Sequence, residues 1–311
     1  MTGKIEIGKI EKFQSLEFLA RQVVEGFITG LHKSPFHGFS VEFAEHRLYN
    51  PGDTTRFIDW KLYGRTDKMF VKRFEEETNL RCRIIIDNSS SMYFPKKDSP
   101  DINNPNKIGF SAYAAAAIIN LMKKQRDAVG LSLFSEDIDE FTQEKSTPVH
   151  QKYLYSLLDN LLTQNKDFKG RQTNISKSLH LIAEMIHKRS LVIIFSDLID
   201  NSNSVDEVFS SLQHFRHYNH ELIFFHVYDK KLEEELFFDD RPHKFIDLET
   251  GENIKLNPLD IREKYFKLSS EFREQLKIKC GKYGIDYVEA DINKGFEPIL
   301  LPYLFKRGKL Y

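Results

Sequence analysis

Three small oxygen-bearing side chains follow a short apolar run at alternate positions. Residues 83–86 read Arg-Ile-Ile-Ile, and Asp87, Ser89 and Ser91 come directly after them. A β-branched run of this kind is typical of a strand buried on both faces of a parallel sheet. Ligands of open α/β sheets bind at the carboxyl ends of the strands. One carboxylate and two hydroxyls at that edge suit a hard divalent cation such as Mg²⁺.

Two other residues are expected at the same edge of the sheet. Asp197 comes soon after the apolar run 191–195, and Thr173 directly precedes a predicted helix. A threonine in that position can cap the helix and also offer its hydroxyl to a cation. The sequence therefore predicts a metal site formed by Asp87, Ser89, Ser91, Thr173 and Asp197.

The elements that must position these residues alternate between strand and helix from residue 81 onward. Strands are predicted at 83–86, 128–135, 191–195, 222–228 and 287–289, with a hairpin return arm at 136–141. Helices are predicted at 106–124, 151–162, 174–187, 205–215, 260–280 and 296–305, and a loop at 93–105. This order predicts an α/β fold with a doubly wound, mostly parallel sheet flanked by helices.

The first 80 residues do not follow that plan. They contain an amphipathic helical pattern over 10–29, strand patterns at 39–43 and 70–74, and a turn-rich segment between these strands. We therefore predict an N-terminal helix and strand extension, residues 1–80, packed on a domain over 81–311. A hairpin insertion is predicted within that domain at about 229–258.

Composition narrows the classes of function. The chain has 45 Lys and Arg against 46 Asp and Glu, without the basic excess of a nucleic-acid-binding protein. Its two cysteines form no disulfide framework, and a reduced compartment is the natural reading. The first residues lack the apolar core of a signal peptide, and no stretch has the length of a membrane span. We expect a cytoplasmic protein.

The candidate site resembles the metal-ion-dependent adhesion site of von Willebrand factor A domains. The shared parts are D-x-S-x-S over 87–91, G-x-x-T over 170–173 and the strand-terminal Asp197. The resemblance implies that Ser89 and Ser91 are direct ligands of Mg²⁺ or Mn²⁺. It also implies that Asp87, Thr173 and Asp197 bind directly or through water, and that a partner's Glu or Asp completes the coordination.

The N-terminal segment narrows the resemblance further. It contains Gly38, Glu42, Phe43, Arg47, Tyr49, Pro51, Gly52, Asp53, Arg56, Ile58, Asp59, Trp60, Arg65, Phe74, Glu75 and Glu76. With these residues the chain resembles the bacterial family called domain of unknown function 58. This resemblance implies a partnership with a MoxR-type AAA+ ATPase and other von Willebrand A proteins. We expect a Mg²⁺-dependent protein-interaction module acting as an adaptor of such an ATPase.

Several alternatives stay open. Residues 87–91 can be an ordinary turn rich in capping residues, and residues 47–65 can be structural or a docking surface. His180, Glu184 and His187 share a helix face that is either solvated or a transition-metal site.

The sequence has no G-x-S-x-G, H-E-x-x-H or G-x-x-x-x-G-K-[ST] motif, and we expect no enzyme. A phosphatase with Asp87 as nucleophile would want a second carboxylate two residues later, where the chain has Ser89. A metal-dependent hydrolase and a scaffold with an unused site remain the other hypotheses.

Overall fold

A computed structural model describes residues 16–21, 24, 45–49, 58, 60–73, 80–97, 100–163, 175–198, 205–295 and 299. The chain forms two compact units, one of residues 1–27 with 80–311 and one of residues 28–79. The predicted division into an extension over 1–80 and a domain over 81–311 stays a prediction. The predicted strand at 39–43 and all but residue 299 of the predicted helix at 296–305 lie outside the described residues.

The larger unit contains a six-stranded sheet. From one edge to the other, its strands are β10 (Asp286–Asp291), β7 (Glu221–Tyr228), β6 (Leu191–Ser196), β3 (Arg81–Asp87), β4 (Ala128–Phe134) and β5 (Ile138–Phe141). All neighbouring pairs are parallel except β4 and β5, which form the antiparallel hairpin that the sequence predicts. The predicted mixed α/β architecture with a mostly parallel sheet is therefore confirmed.

Helices cover both faces of this sheet. They are α1 (residues 16–21), α3 (Lys107–Gln125), α4 (Pro148–Thr163), α5 (Ile175–Met185), α6 (Val205–His217) and α7 (Pro258–Lys282). Ile84 and Ile86 of β3 pack in one core with α1, α3 and α4, whereas Ile85 packs in a second core with α5, α6 and α7. Successive strand residues point to opposite faces. The continuous apolar run of β3 follows from burial on both sides.

The order of the strands changes direction next to β3. The chain leaves β3 through α3 to reach β4 on one side, and later returns to β6 on the other side. Such a switch point opens a crevice at the carboxyl ends of the two strands, and ligands of doubly wound sheets bind there. Asp87 ends β3 and Asp197 directly follows β6.

Two smaller strand pairs complete the described structure. In the unit of residues 28–79, β1 (Glu45–Leu48) pairs antiparallel with β2 (Phe70–Arg73), and α2 (Trp60–Thr66) lies between them in sequence. In the larger unit, β8 (His243–Ile246) and β9 (Asn253–Leu256) form the hairpin that the sequence predicts.

Candidate metal centre

Asp87 is the anchor of the predicted site. It is the last residue of β3, and its side chain is completely buried. Its Oδ1 accepts a hydrogen bond from the Ser89 backbone N–H at 2.9 Å, and its Oδ2 accepts one from Ser196 Oγ at 2.7 Å. Both carboxylate oxygens are therefore held in place by neighbouring donors.

The two predicted serine ligands lie side by side. Ser89 precedes a 3₁₀ turn, Ser90–Tyr93, that carries Ser91. The hydroxyl oxygens of Ser89 and Ser91 are 3.0 Å apart, and both residues are buried. Two neutral oxygens therefore converge beside the Asp87 carboxylate.

Asp197 brings a second buried carboxylate to this edge. Its Oδ2 accepts a hydrogen bond from Lys107 Nζ at 2.7 Å. Burial and, to a smaller degree, the negative charge of Asp197 raise the pKa of Asp87 to about 7. This charge effect indicates that the two predicted aspartates lie near each other at this edge of the sheet.

Lys107 is the first residue of α3 and is completely buried. Its ammonium group contacts Asp197 and also Glu233, which lies in a π-helical turn, Lys230–Glu234, after β7. Burial by itself lowers the pKa of Lys107, but the two carboxylates outweigh burial and raise it. Burial raises the pKa of Glu233, while Lys107 opposes that shift. The site thus contains a cation of its own.

His226 supports Asp197 from β7. Its Nε2 lies 3.1 Å from the Asp197 carbonyl oxygen, and its Nδ1 lies 2.8 Å from the Tyr287 hydroxyl. Burial lowers the pKa of His226 to about 4, so the ring is neutral near pH 7. We assign the proton to Nε2, because a carbonyl oxygen can only accept.

Hydrogen bonds fix the start of the loop that follows the 3₁₀ turn. The Tyr93 hydroxyl donates to Asn88 Oδ1 at 2.8 Å, and Asn88 Nδ2 donates to Asp139 Oδ2 at 2.7 Å. The Lys107 N–H donates to the carbonyl oxygen of Phe94 at 3.1 Å. The start of the predicted loop at 93–105 therefore lies close to Asp87.

Four of the five predicted site residues are described, and Thr173 lies outside the described residues. Asp87, Ser89 and Ser91 form one hydrogen-bonded group, and Asp197 interacts with it through charge. Within the described ranges, no three His, Cys, Asp or Glu side chains form a group that could hold a metal. A metal at this site would therefore depend on serine hydroxyls as well as carboxylates.

Sequence reasoning missed Lys107, Ser196, His226 and Glu233. Lys107 carried one usable signal, because a cation in the first turn of a helix opposes the helix dipole. A lysine directly after the N-cap Asn106 is therefore unfavourable unless a carboxylate lies nearby. Glu233 offered no comparable signal.

The predicted polar face of α5 contacts the neighbouring helix α6. Nδ1 of His180 lies 3.0 Å from Nδ1 of His214 on α6. Burial lowers the pKa of His180, as does His214. The structure thus pairs His180 with a residue of another helix.

Comparison with known proteins places the chain in a family. The profile of a family described as "Protein of unknown function DUF58" matches residues 45–275. This chain belongs to the DUF58 family. It is 23% identical over 204 residues to uncharacterized protein Rv1480 of Mycobacterium tuberculosis and to uncharacterized protein Mb1516 of Mycobacterium bovis. Each match covers 65% of this chain and 62% of the relative.

Two solved structures show low similarity to this DUF58 chain. One is the conserved hypothetical protein BatB from Bacteroides thetaiotaomicron, with a TM-score of 0.44 and 12% identity over 75% of this chain and 100% of that one. Another is the pilus adhesin SpaC from Lactobacillus rhamnosus GG, with a TM-score of 0.44 and 11% identity over 74% of this chain and 30% of that one.

The described helices were also compared with the requirements of a membrane span. None of them combines the length and the apolar character needed to cross a membrane.

Proposed function

We propose that this DUF58 protein is a von Willebrand A-like module that binds a protein partner through Mg²⁺ or Mn²⁺. The charge balance of the buried site carries the proposal. Asp87, Asp197 and Glu233 contribute three carboxylates, and Lys107 contributes one ammonium group. When all four groups are ionised, two negative charges remain uncompensated, and a divalent cation would neutralise them. Without such compensation burial favours the protonated carboxyl groups, and the pKa values of Asp87 and Glu233 are raised accordingly.

The donor set fits a hard divalent cation. Mg²⁺ prefers oxygen ligands and keeps several waters, and it usually takes only one or two protein carboxylates. Asp87, Ser89 and Ser91 supply a carboxylate and two hydroxyls at the switch point of the sheet. Asp197 and, from the family resemblance, Thr173 would support the ion directly or through water.

This arrangement favours binding of a partner. When bound, the cation would supply a Lewis-acidic position with few charged protein ligands, at which an anionic group can be held. Ser89 and Ser91 would hold that position at the sheet edge, and the loop at 93–105 would contact the partner beside it. A Glu or Asp of the partner would be the anionic group. We propose a MoxR-type AAA+ ATPase as the partner, on the family resemblance, and a non-enzymatic, cytoplasmic role as its adaptor.

Thermal unfolding tests the metal site. The protein would be melted in EDTA, Mg²⁺ and Mn²⁺ beside Asp87→Asn. A cation that binds only the folded protein stabilises it by about 2.7 kcal/mol at a hundredfold excess over Kd. The control is Asp137→Asn, the same chemical change at an exposed carboxylate that pairs with Lys177. We expect the metal-dependent shift in the wild type and the control only.

Co-elution with a purified MoxR-type ATPase tests the partner. We expect a complex in Mg²⁺ that EDTA or Asp87→Asn abolishes. A melting shift without a complex would retain the metal site and reject this partner. No shift at millimolar metal would reject the metal site and favour the scaffold, and Mg²⁺-dependent turnover of a phosphoester would favour the hydrolase.

A further inference from the structure

The Lys107 ammonium group already neutralises Asp197. Lys107 Nζ lies 2.7 Å from Asp197 Oδ2, and both side chains are almost completely buried. A carboxylate that accepts a charge-assisted hydrogen bond at this distance has part of its charge satisfied before any metal arrives. Asp87 differs, because its two oxygens accept from the Ser89 N–H and the Ser196 hydroxyl, which are uncharged donors.

The ammonium group is held in place from several sides. Lys107 begins α3, and its backbone N–H donates to the carbonyl oxygen of Phe94. Its Nζ also contacts Glu233 Oε1, and Glu233 Oε2 accepts from the Asp229 N–H at 2.7 Å. Moving this charge away from Asp197 would therefore break a network whose members are each tied to backbone.

We propose that Lys107 is a positioning residue that keeps Asp197 from ligating the cation directly, so that Asp197 acts on it through water. This inference rests on the metal site of the proposed function. Direct ligation by Asp197 would bring a divalent cation close to the ammonium group, and like charges repel strongly where water is scarce. A water between cation and carboxylate lengthens that separation and keeps the Lys107 hydrogen bond.

The consequence concerns affinity for the partner. A cation that receives one carboxylate instead of two keeps more positive charge and more exchangeable water positions. Such a cation binds an external carboxylate more strongly. Lys107 therefore lowers the affinity of the protein for the metal and raises the affinity of the metal-loaded protein for the partner.

The decisive variant is Lys107→Met with Glu233→Gln. The double change removes one positive and one negative charge, so the net charge of the site stays the same while Asp197 loses its ammonium partner. The readouts are the Kd for Mn²⁺ and the number of metal-bound waters, from water-proton relaxation of the Mn²⁺ complex. We expect binding tighter by about tenfold or more, the scale on which residues supporting metal ligands act, and fewer bound waters. Glu233→Gln alone is the control, since it retains the Lys107–Asp197 contact and should weaken binding without changing the water count.

A second variant keeps the test decisive if the double variant does not fold. Asp197→Ala should leave the number of metal-bound waters unchanged if Asp197 acts through water. A gain of one bound water would show direct ligation and overturn the inference. Unchanged Kd and hydration in a folded double variant would also overturn it, while the proposed metal site would stand. Absence of Mn²⁺ binding to the wild type would reject the proposed site and, with it, this inference.

Discussion

The guanidinium group of Arg83 lies against the backbone of Gly130. The two residues face each other in the register of β3 and β4, and a Cβ built at Gly130 would be 2.8 Å from Arg83 Cζ. Arg83 is completely buried and donates through Nη1 to the Thr142 carbonyl oxygen at 2.6 Å. Glycine at 130 therefore makes room for a charged side chain inside the sheet.

Gly130→Ala should destabilise the protein by about 1–3 kcal/mol, the usual cost of overpacking a core. The added methyl would force the guanidinium group away from its hydrogen-bond partners. Chemical denaturation measures the change in the free energy of unfolding. Gly281→Ala is the matched control, since its Cβ meets nothing within 4 Å in α7 and alanine favours helix. Equal effects of the two substitutions would contradict the packing argument.

The ion pair of Arg83 with Glu144 should be sensitive to loss of one partner. Both side chains are buried, with 0% and 4% of their surfaces exposed. Glu144→Gln leaves a buried guanidinium charge without its counter-charge, and such losses typically cost about 3–5 kcal/mol. Urea unfolding of this variant beside Asp137→Asn, which alters an exposed pair, measures the difference. A loss no larger than that of the exposed control would mean that water reaches Arg83.

The alternation of the site serines predicts which hydroxyls matter for metal binding. Ser89→Ala and Ser91→Ala should each weaken Mn²⁺ binding by about tenfold or more, the scale of changes around metal ligands. Ser90 is also buried but falls between the two, so Ser90→Ala is the control and should leave the Kd nearly unchanged. Calorimetric titration with Mn²⁺ measures each Kd. An equal loss in all three variants would point to a damaged turn in place of lost ligands.

His220 should make stability depend on pH. The residue is completely buried, its Nδ1 accepts from the Ser190 N–H at 3.1 Å, and burial lowers its pKa. A histidine in the unfolded chain has a pKa of about 6.5. The stabilisation by neutral His220 is therefore complete above about pH 6.5 and is lost as the pH falls toward the lower folded pKa.

His220→Gln removes this titration and retains a side-chain acceptor for the Ser190 N–H. Urea unfolding at pH 8 and pH 5 should show a larger loss of stability in the wild type than in the variant. Parallel losses in both proteins would show that other groups cause the acid sensitivity.

The sequence by itself determined the larger part of the described fold and the centre of the candidate site. The short apolar runs of β3, β6 and β7, rich in β-branched or aromatic residues, predicted strands buried on both faces, and helical spacing predicted the segments between them. Asp87, Ser89 and Ser91 are close in sequence, so the end of one strand and one turn place them. Asp197 followed from the rule that parallel strands end at one edge.

Only the tertiary structure decided which charges surround these residues. Lys107 is 90 residues from Asp197 and 126 residues from Glu233 along the chain. Periodicity reports which face of an element is apolar, and it carries no information on which side chains of distant elements meet. Burial makes these contacts important for stability, because a charge that water would screen needs a counter-charge inside the protein. The sequence thus determined which residues form the candidate site, and packing decided that a lysine contacts one of them.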